Sequence, residues 1–427
     1  MKKIFLFLLI FSFISLNAMS LDKLFDAIKN APESKINKIV QKELQTTKEQ
    51  LKLSLLPKIS VIGSYEHFND DSPLIALTPT KSAQLLKSKD SLPFGNNIKR
   101  IGLELSMPLF VKEIYDNQEK LKHLVKASKY KKKIDLLKRE AILVTLLSNF
   151  NYLSKLKNSL IQKRKSINIT LKNISIAIKN GRFPAFKELK LKDALNQIDM
   201  GILDINSKIS DIKSKIYSLT NISLKEPIKI IGNNYSVNDY IFLKPIKEII
   251  KADKKNLDAK KSISYPKLFI KAKTTENYTN AYNTGKNIEE NYNSIGIYMK
   301  WDIFDMKSLK DIKKAKYTLY KDKLKYQKEK KELIANEQKL SNDLKYFTQQ
   351  ISIAQKSLRL RKSLLKSAKV SFKLGTMSVN DYLQYENDLA ISKAKLAEVI
   401  AKKNMTLANL ALIYGNDLKK IFHEVKK

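Results

Sequence analysis

The feature that most limits how this chain can fold is where its helix breakers are missing. Neither Gly nor Pro occurs between Pro108 and Gly181, nor between Gly296 and Gly375. Each gap leaves a 70-residue run, 111–180 and 305–374, without a stop signal. As an α-helix, such a run extends about 105 Å at a rise of roughly 1.5 Å per residue. No compact domain holds a helix of that length, so a coiled coil or stalk is expected. Ile351, Ala354, Leu358, Leu365, Ala368 and Phe372 fall at alternating threes and fours, with Arg361 interrupting the stripe. Gly181 and Gly375 stand where a helix C-terminus takes a left-handed residue, each ahead of an antiparallel return. One return carries Leu189, Leu191, Leu195, Ile198, Ile202, Ile205, Ile209, Ile212 and Ile216. The other carries Ala390, Ala394, Ala397, Ala401, Ala408 and Ala411, small enough for close helix approach. Both stripes read as ordinary core packing.

The two long runs belong to a duplication. Ile101-Gly102-Leu103-Glu104-Leu105 through Pro108-Leu109-Phe110 aligns with Ile295-Gly296-Ile297-Tyr298-Met299 through Asp302-Ile303-Phe304 at an offset of 194. Gly181 and Gly375 keep that offset, and Pro57-Lys58-Ile59 matches Pro266-Lys267-Leu268 at 209. The difference falls in the segment between the paired strands, so the first loop is longer. Equal helices with unequal loops are what a duplication leaves, because packing constrains helix length and surface loops are free to vary.

Ahead of each long run stand two strands with period-two alternation. Ile101, Leu103, Leu105, Met107 and Leu109 share one face, opposite Arg100, Gly102, Glu104, Ser106 and Pro108. Ile295, Ile297, Met299, Trp301 and Ile303 repeat this, as do Ile59, Val61 and Tyr65, and Leu268, Ile270 and Ala272. At roughly 10 to 12 residues, all four strands are long enough to cross a bilayer at a tilt. Four strands cannot close a barrel, since small closed barrels need about eight. Completion therefore requires an oligomer.

Composition removes most other functions. Cys is absent, which excludes disulfide scaffolds, thiolate metal sites and thiol catalysis. His67, His123 and His423 lie far apart without ligand spacing. No nucleophile–base pair has readable spacing, so no enzyme and no cofactor is expected. The net charge of +39 suggests a polyanion partner, but the lysines are spread along the whole chain: residues 111–180 hold 17 basic and 5 acidic side chains without a single long run. That is a solvated helix surface, and no nucleic-acid partner is expected. Lys2-Lys3, the apolar run Ile4–Leu16 and the small residues Ala18 and Ser20 form a signal-peptide pattern with cleavage after Ser20. Export to the cell envelope follows.

In this arrangement the chain resembles the TolC family of outer-membrane efflux proteins. The likeness is carried by Leu55-Leu56-Pro57-Lys58-Ile59-Ser60, Met107-Pro108-Leu109-Phe110, Trp301-Asp302-Ile303-Phe304, Leu374-Gly375-Thr376-Met377-Ser378-Val379-Asn380-Asp381-Tyr382-Leu383 and Leu410-Ala411-Leu412-Ile413-Tyr414-Gly415. Order, spacing and duplication make it specific, rather than any single motif. The implied fold is mainly α with a membrane β part: long antiparallel coiled-coil hairpins and four transmembrane strands per protomer, completed as a 12-stranded barrel and α-helical tunnel by a homotrimer. The expected layout is a signal peptide at 1–20 and a first repeat at 21–230, with strands 57–68 and 98–110 around loop 69–97, long helix 111–180 and return helix 185–219. A second repeat follows at 231–427, with strands 266–278 and 291–304 around loop 279–290, long helix 305–374, return helix 381–414 and a tail.

The resemblance further implies a passive conduit in the outer membrane, serving efflux or type I secretion. It would take substrates from an inner-membrane pump of RND or ABC type through a periplasmic adaptor, with outer-membrane lipid around its barrel. The adaptor would dock on the turns at Gly181, Arg182, Phe183, Gly375, Thr376 and Met377. Family members close their tip with two acidic residues three apart; Asp381 and Gln384 occupy those positions, leaving three carboxylates per trimer instead of six. Asp381 equally suits an early helical position favoured by the helix dipole. Met377 replaces an Arg that helps lock some relatives, and Lys187 adds positive charge at the first turn. Tyr278, Tyr292, Tyr298 and Trp301 are candidates for aromatic girdles at the membrane interfaces. The excess of lysine predicts an interior less cation-selective than that of acidic-lumen relatives. The competing possibility is an exported coiled-coil structural or adhesin-like protein, which has no use for bilayer-length amphipathic strands.

Overall fold

The computed structural model describes residues 20–180 and 184–425. The signal-peptide segment and Gly181, Arg182 and Phe183 lie outside them. The helical runs form as the missing breakers require: α4 spans Lys112–Lys179 and α7 spans Met306–Lys373, each 68 residues. Their returns, α5 (Phe186–Thr220) and α8 (Val379–Ile413), are 35 residues each. The described residues open with α1 (Leu21–Asn30) and α2 (Pro32–Leu53), and α6 (Leu243–Lys261) precedes the strand Lys267–Asn280. Among the described residues, no helix is long and apolar enough to cross a membrane.

The chain divides into two compact units. One gathers the chain up to Lys38, Tyr130–Phe242 and everything from Lys330 onward. Its core joins Leu21, Leu24, Phe25 and Ile28 of α1 to Leu143, Val144, Leu147 and Phe150 of α4. Ile216 of α5, Ala408 and Ala411 of α8, and Leu418, Ile421 and Phe422 complete it. Residues 230–232 and 422–424 pair there as a short two-stranded ribbon, Ile230 opposite Glu424. Nearer the turns, Ile167 and Ile174 of α4, Leu191 and Ile198 of α5, and Val379 of α8 form a second cluster. The apolar stripes expected on the returns do face inward, except that Leu189 is exposed while Leu191 is fully buried.

The other unit, Ile39–Lys129 with Leu243–Glu329, holds the sheet. It comprises β1 (Lys58–Pro73), β2 (Phe94–Phe110), β4 (Lys267–Asn280) and β5 (Asn287–Lys300), where β3 is the 230–232 ribbon strand. The order is β1-β2-β4-β5, antiparallel throughout. β1 and β5 are therefore edge strands with one side unpaired within the chain. A close approach at Gly102 is needed for this register, because a Cβ there would lie 2.1 Å from the Thr274 carbonyl oxygen.

The strands are longer at their loop ends than the alternation suggested. β1 runs past 68 to Pro73 and β2 starts at Phe94, with a helix, α3 (Pro79–Ser88), inside the expected loop. The Thr78 hydroxyl caps that helix and Pro79 begins it. β5 is shifted toward the N-terminus: it starts at Asn287 and ends at Lys300, so Trp301–Phe304 follow the strand and lead into α7. Asp305 ends this link by capping α7, its carboxylate accepting from the Lys307 N–H at 2.9 Å.

Candidate functional site

Two regions carry chemistry that a folded interior does not explain. The first is the sheet. The register places Ile59, Leu105, Ala272 and Ile295 side by side across all four strands, with Val61, Leu103, Thr274 and Asn293 in the next row. Met107, Ile270 and Ile297 form a row toward the helices, and Leu268 sits beside Met299 beyond them. These side chains share one face, and that face is bare: Val61 is 74% exposed, Ile297 72% and Ile295 81%. A contiguous exposed apolar surface of this kind marks a membrane or protein contact. Thr274, Asn293, Glu276 and Asn291 make the loop end of the β4–β5 half more polar.

The opposite face is polar. Its rows read Lys58, Ser106, Lys271 and Gly296; then Ser60, Glu104, Lys273 and Ser294; then Ser64, Arg100, Asn277 and Glu290. Arg100 is ion-paired with Glu66. Tyr292 and Tyr298 belong to this polar face, where the Lys271 ammonium lies 5.5 Å from the Tyr298 ring centroid. Of the four candidate girdle aromatics, only Tyr278 lies in a strand on the apolar face. There it shares a row with Tyr65, at the loop end of the apolar band. Tyr65 completes an aromatic pair that alternation alone did not single out, because its row becomes visible only once the register is fixed. Trp301 is half exposed, just beyond the helix end of β5. The loops at the far end are tied together: Asn283 accepts from the Leu92 N–H at 3.1 Å and donates to the Asp90 carbonyl at 3.0 Å.

The second region is the helical turn at 374–388. Gly375 takes φ +78, and the Thr376 N–H reaches back to the Ser371 carbonyl at 3.0 Å, closing α7 in a Schellman-type cap. Ser378 then caps α8. Its hydroxyl accepts from the Asp381 N–H at 3.1 Å and donates to the Asp381 carboxylate at 2.6 Å, an N-cap that ties Asp381 to the helix start. Asp381 and Gln384 are both exposed. The Gln384 amide donates to Asp388 at 3.1 Å, and Asp388 is ion-paired with Arg361 of α7. Asp381, Gln384 and Asp388 thus share one face of α8 at spacings of three and four. Asp388 was not among the residues anticipated there; its partner Arg361, the interruption in the α7 stripe, was the available clue. Thr376 is exposed and Met377 half-buried beside the turn.

Behind this face, Tyr382 is buried and stacks on Phe372, with ring centroids 4.7 Å apart. Its hydroxyl lies 2.8 Å from the Glu386 carboxylate and 3.2 Å from the Ser166 hydroxyl of α4. Burial and the Glu386 carboxylate push the Tyr382 phenol up to about 12. Nearby, Lys163 donates to Asn387 at 2.8 Å, and burial lowers its ammonium below the usual lysine range. These contacts join α4 to α8 at the turn end. Among the described residues, no group of three or more His, Asp or Glu side chains could hold a metal ion.

The sequence family model described as outer membrane efflux protein matches residues 249–416. That segment is similar to the outer membrane efflux protein family. The fold likeness reaches further. The structure of the Campylobacter jejuni CmeC outer membrane channel superposes with a TM-score of 0.75 at 16% identity, covering 93% of this chain and 87% of that one. The Vibrio cholerae outer membrane protein VceC gives 0.76 at 12% identity, covering 92% and 96%. The open-state Neisseria gonorrhoeae MtrE outer membrane channel gives 0.74 at 13% identity, covering 93% and 89%. No curated protein matches in sequence. The matched segment contains β4, β5, α7, the turn at Gly375 and α8, so it includes half of the apolar strand face and the Asp381 turn.

Proposed function

We propose that three copies of this chain form the outer-membrane channel of a tripartite efflux or type I secretion system. Each copy contributes four strands to a 12-stranded barrel and four long helices to a tunnel on its periplasmic side. The observation that carries this is the sheet: one face is apolar and bare, the other polar and basic, and both edge strands lack a partner. An unpaired, bilayer-length sheet edge is tolerable in hydrocarbon only when another strand closes it. Closure by copies of the same chain satisfies the backbone, places Ile59, Leu103, Leu105, Ile295 and Ile297 against lipid, and leaves Lys271 and Lys273 in the lumen. Tyr65 and Tyr278 then lie at one interface and Trp301 at the other.

The conduit performs no reaction, and transport energy comes from an inner-membrane pump coupled through a periplasmic adaptor. The turn at Gly375, Thr376 and Met377 is the proposed adaptor contact. Asp381, Gln384 and Asp388 face the constriction, where the neutral Gln384 lowers its negative charge. The Tyr382–Ser166–Glu386 contacts hold α8 against α4 in the resting tip. The equal lengths of α4 and α7, and of α5 and α8, support descent of both halves from one duplicated unit. An exported coiled-coil fibre would leave the apolar sheet face in water.

The test is electrical. The mature protein, reconstituted into planar lipid bilayers, is expected to give discrete unitary conductance steps and to leave native membranes only with detergent. Release by salt alone, with no conductance at any protein density, contradicts the proposal.

A further inference from the structure

We propose that the barrel lumen of this protein is an anion-favouring passage, built by lysines on the polar sheet face, and so suited to anionic solutes. This rests on the channel described above and adds the chemical class of what passes most readily. Across the paired stretches of the four strands, the polar face carries Lys58, Arg100, Lys267, Lys271, Lys273 and Lys300 against Glu66, Glu104 and Glu290. Acidic neighbours pair part of this set: Arg100 with Glu66, Lys267 with Glu113 at 4.0 Å, and Lys300 with Asp302 at 3.7 Å.

Lys58, Lys271 and Lys273 are different. Among the described residues, none of them has a carboxylate within 4.0 Å. Lys58 and Lys271 also share a row whose other members are Ser106 and Gly296, so nothing acidic stands between them. Lys271 rests against the Tyr298 ring, which holds the ammonium near the wall without neutralising it. Repeated by threefold symmetry, this row becomes a slanting ring of six ammonium groups on the lumen wall, because barrel strands tilt, with Lys273 in the next row, opposite Glu104. A ring of one charge sign at a pore wall selects for the opposite sign. The field reaches a Debye length, about 10 Å at 0.1 M salt and about 3 Å at 1 M, so the preference belongs to low ionic strength.

The chain contains no cysteine, which gives a direct test. Lys271→Cys places a single thiol on the proposed ring, and methanethiosulfonate reagents can modify it after the channel has inserted, so folding is not in question. Reversal potentials are read across a potassium chloride gradient. At about 0.1 M salt, the unmodified full chain is expected to favour chloride, and the triple variant K58Q/K271Q/K273Q to shift the chloride-to-potassium permeability ratio at least about twofold toward potassium. On Lys271→Cys channels, the ammonium reagent restores chloride preference and the sulfonate reagent reverses it; near 1 M salt the differences shrink. Channels that conduct but hold one reversal potential through all these changes overturn the inference and leave the channel intact. Absence of conductance overturns the channel itself, and the inference with it.

Discussion

The helices α4 and α7 have the same length and the same place in their half of the chain, yet they treat their apolar residues in opposite ways. α4 buries Leu143, Val144, Leu147 and Ile167 completely, against α1, α5 and the C-terminal segments. α7 buries only Ala315, Ala354 and Ala368 among its apolar residues, and leaves Tyr317, Tyr320, Leu324, Tyr346, Ile353, Leu360, Leu364 and Val370 exposed. Among them Tyr346, Ile353, Leu360 and Leu364 recur at sevens and a four, the spacing of a coiled-coil seam. One helix of the pair finds its partners inside the chain. The other presents a seam that a second copy can fill, just as the edge strands β1 and β5 present backbone that a second copy can pair.

The largest effect that could break this contrast is on assembly. Ile353→Asp combined with Leu360→Asp places charge on the α7 seam without touching the α4 core. The trimer peak on size-exclusion chromatography in mild detergent should be lost while far-ultraviolet circular dichroism keeps its helical signal. A persisting trimer would show that the seam is not an interface. Next is Leu147→Ala on α4, which opens a cavity in a fully buried position. It is expected to cost about 2–5 kcal/mol in chemical unfolding, several times the cost of Leu360→Ala measured on the separated protomer.

A pH-dependent difference of similar or smaller size comes from Glu140 on α4, 2% exposed and with its Oε2 unpaired. Burial, reinforced by the charge of Asp417 and opposed by Lys29 and Lys419, pushes its carboxyl up from 4.5 to about 7. Between those values the folded protein holds a proton that the unfolded chain has released, so stability falls as pH rises through this window and levels off above it. Glu140→Gln should remove that slope and raise stability at about pH 8 by on the order of 3 kcal/mol at most, read from unfolding midpoints across pH. An unchanged slope would mean that other groups set it. The smallest expected effect is that of Tyr382→Phe, which removes the hydroxyl bridging Ser166 and Glu386. About 1 kcal/mol of stability should be lost, with a measurable rise in the open fraction of single channels. A loss of stability with unchanged gating would confine Tyr382 to packing.

Much of this architecture was legible in the residues because its signals are long. Seventy residues without Gly or Pro fixed α4 and α7 to within a residue at each end, and Gly375 marked its turn because no other residue takes φ +78 as easily. Short signals misled. Trp301–Phe304 continue the alternation of β5 but leave the strand, because Asp305 sets the start of α7 immediately afterward. β1 extends to Pro73 by pairing with Phe94 across the loop, and the segment after α3 is tied at Leu92 to Asn283, 191 residues away. Alternation with Ile295 and Ile297, and with Leu268 and Ile270, already separates Tyr292 and Tyr298 from Tyr278, whereas the row shared by Tyr65 and Tyr278 needed the register. Likewise, Asp388 gained its place beside Gln384 only when Arg361 was seen to pair with it.

Molar mass in solution bears most directly on whether a single chain is a third of the pore. Light scattering on the mature protein in mild detergent, with the detergent contribution subtracted, should give three chains per particle. A homogeneous particle of one chain, stable and retaining its sheet, would contradict the account.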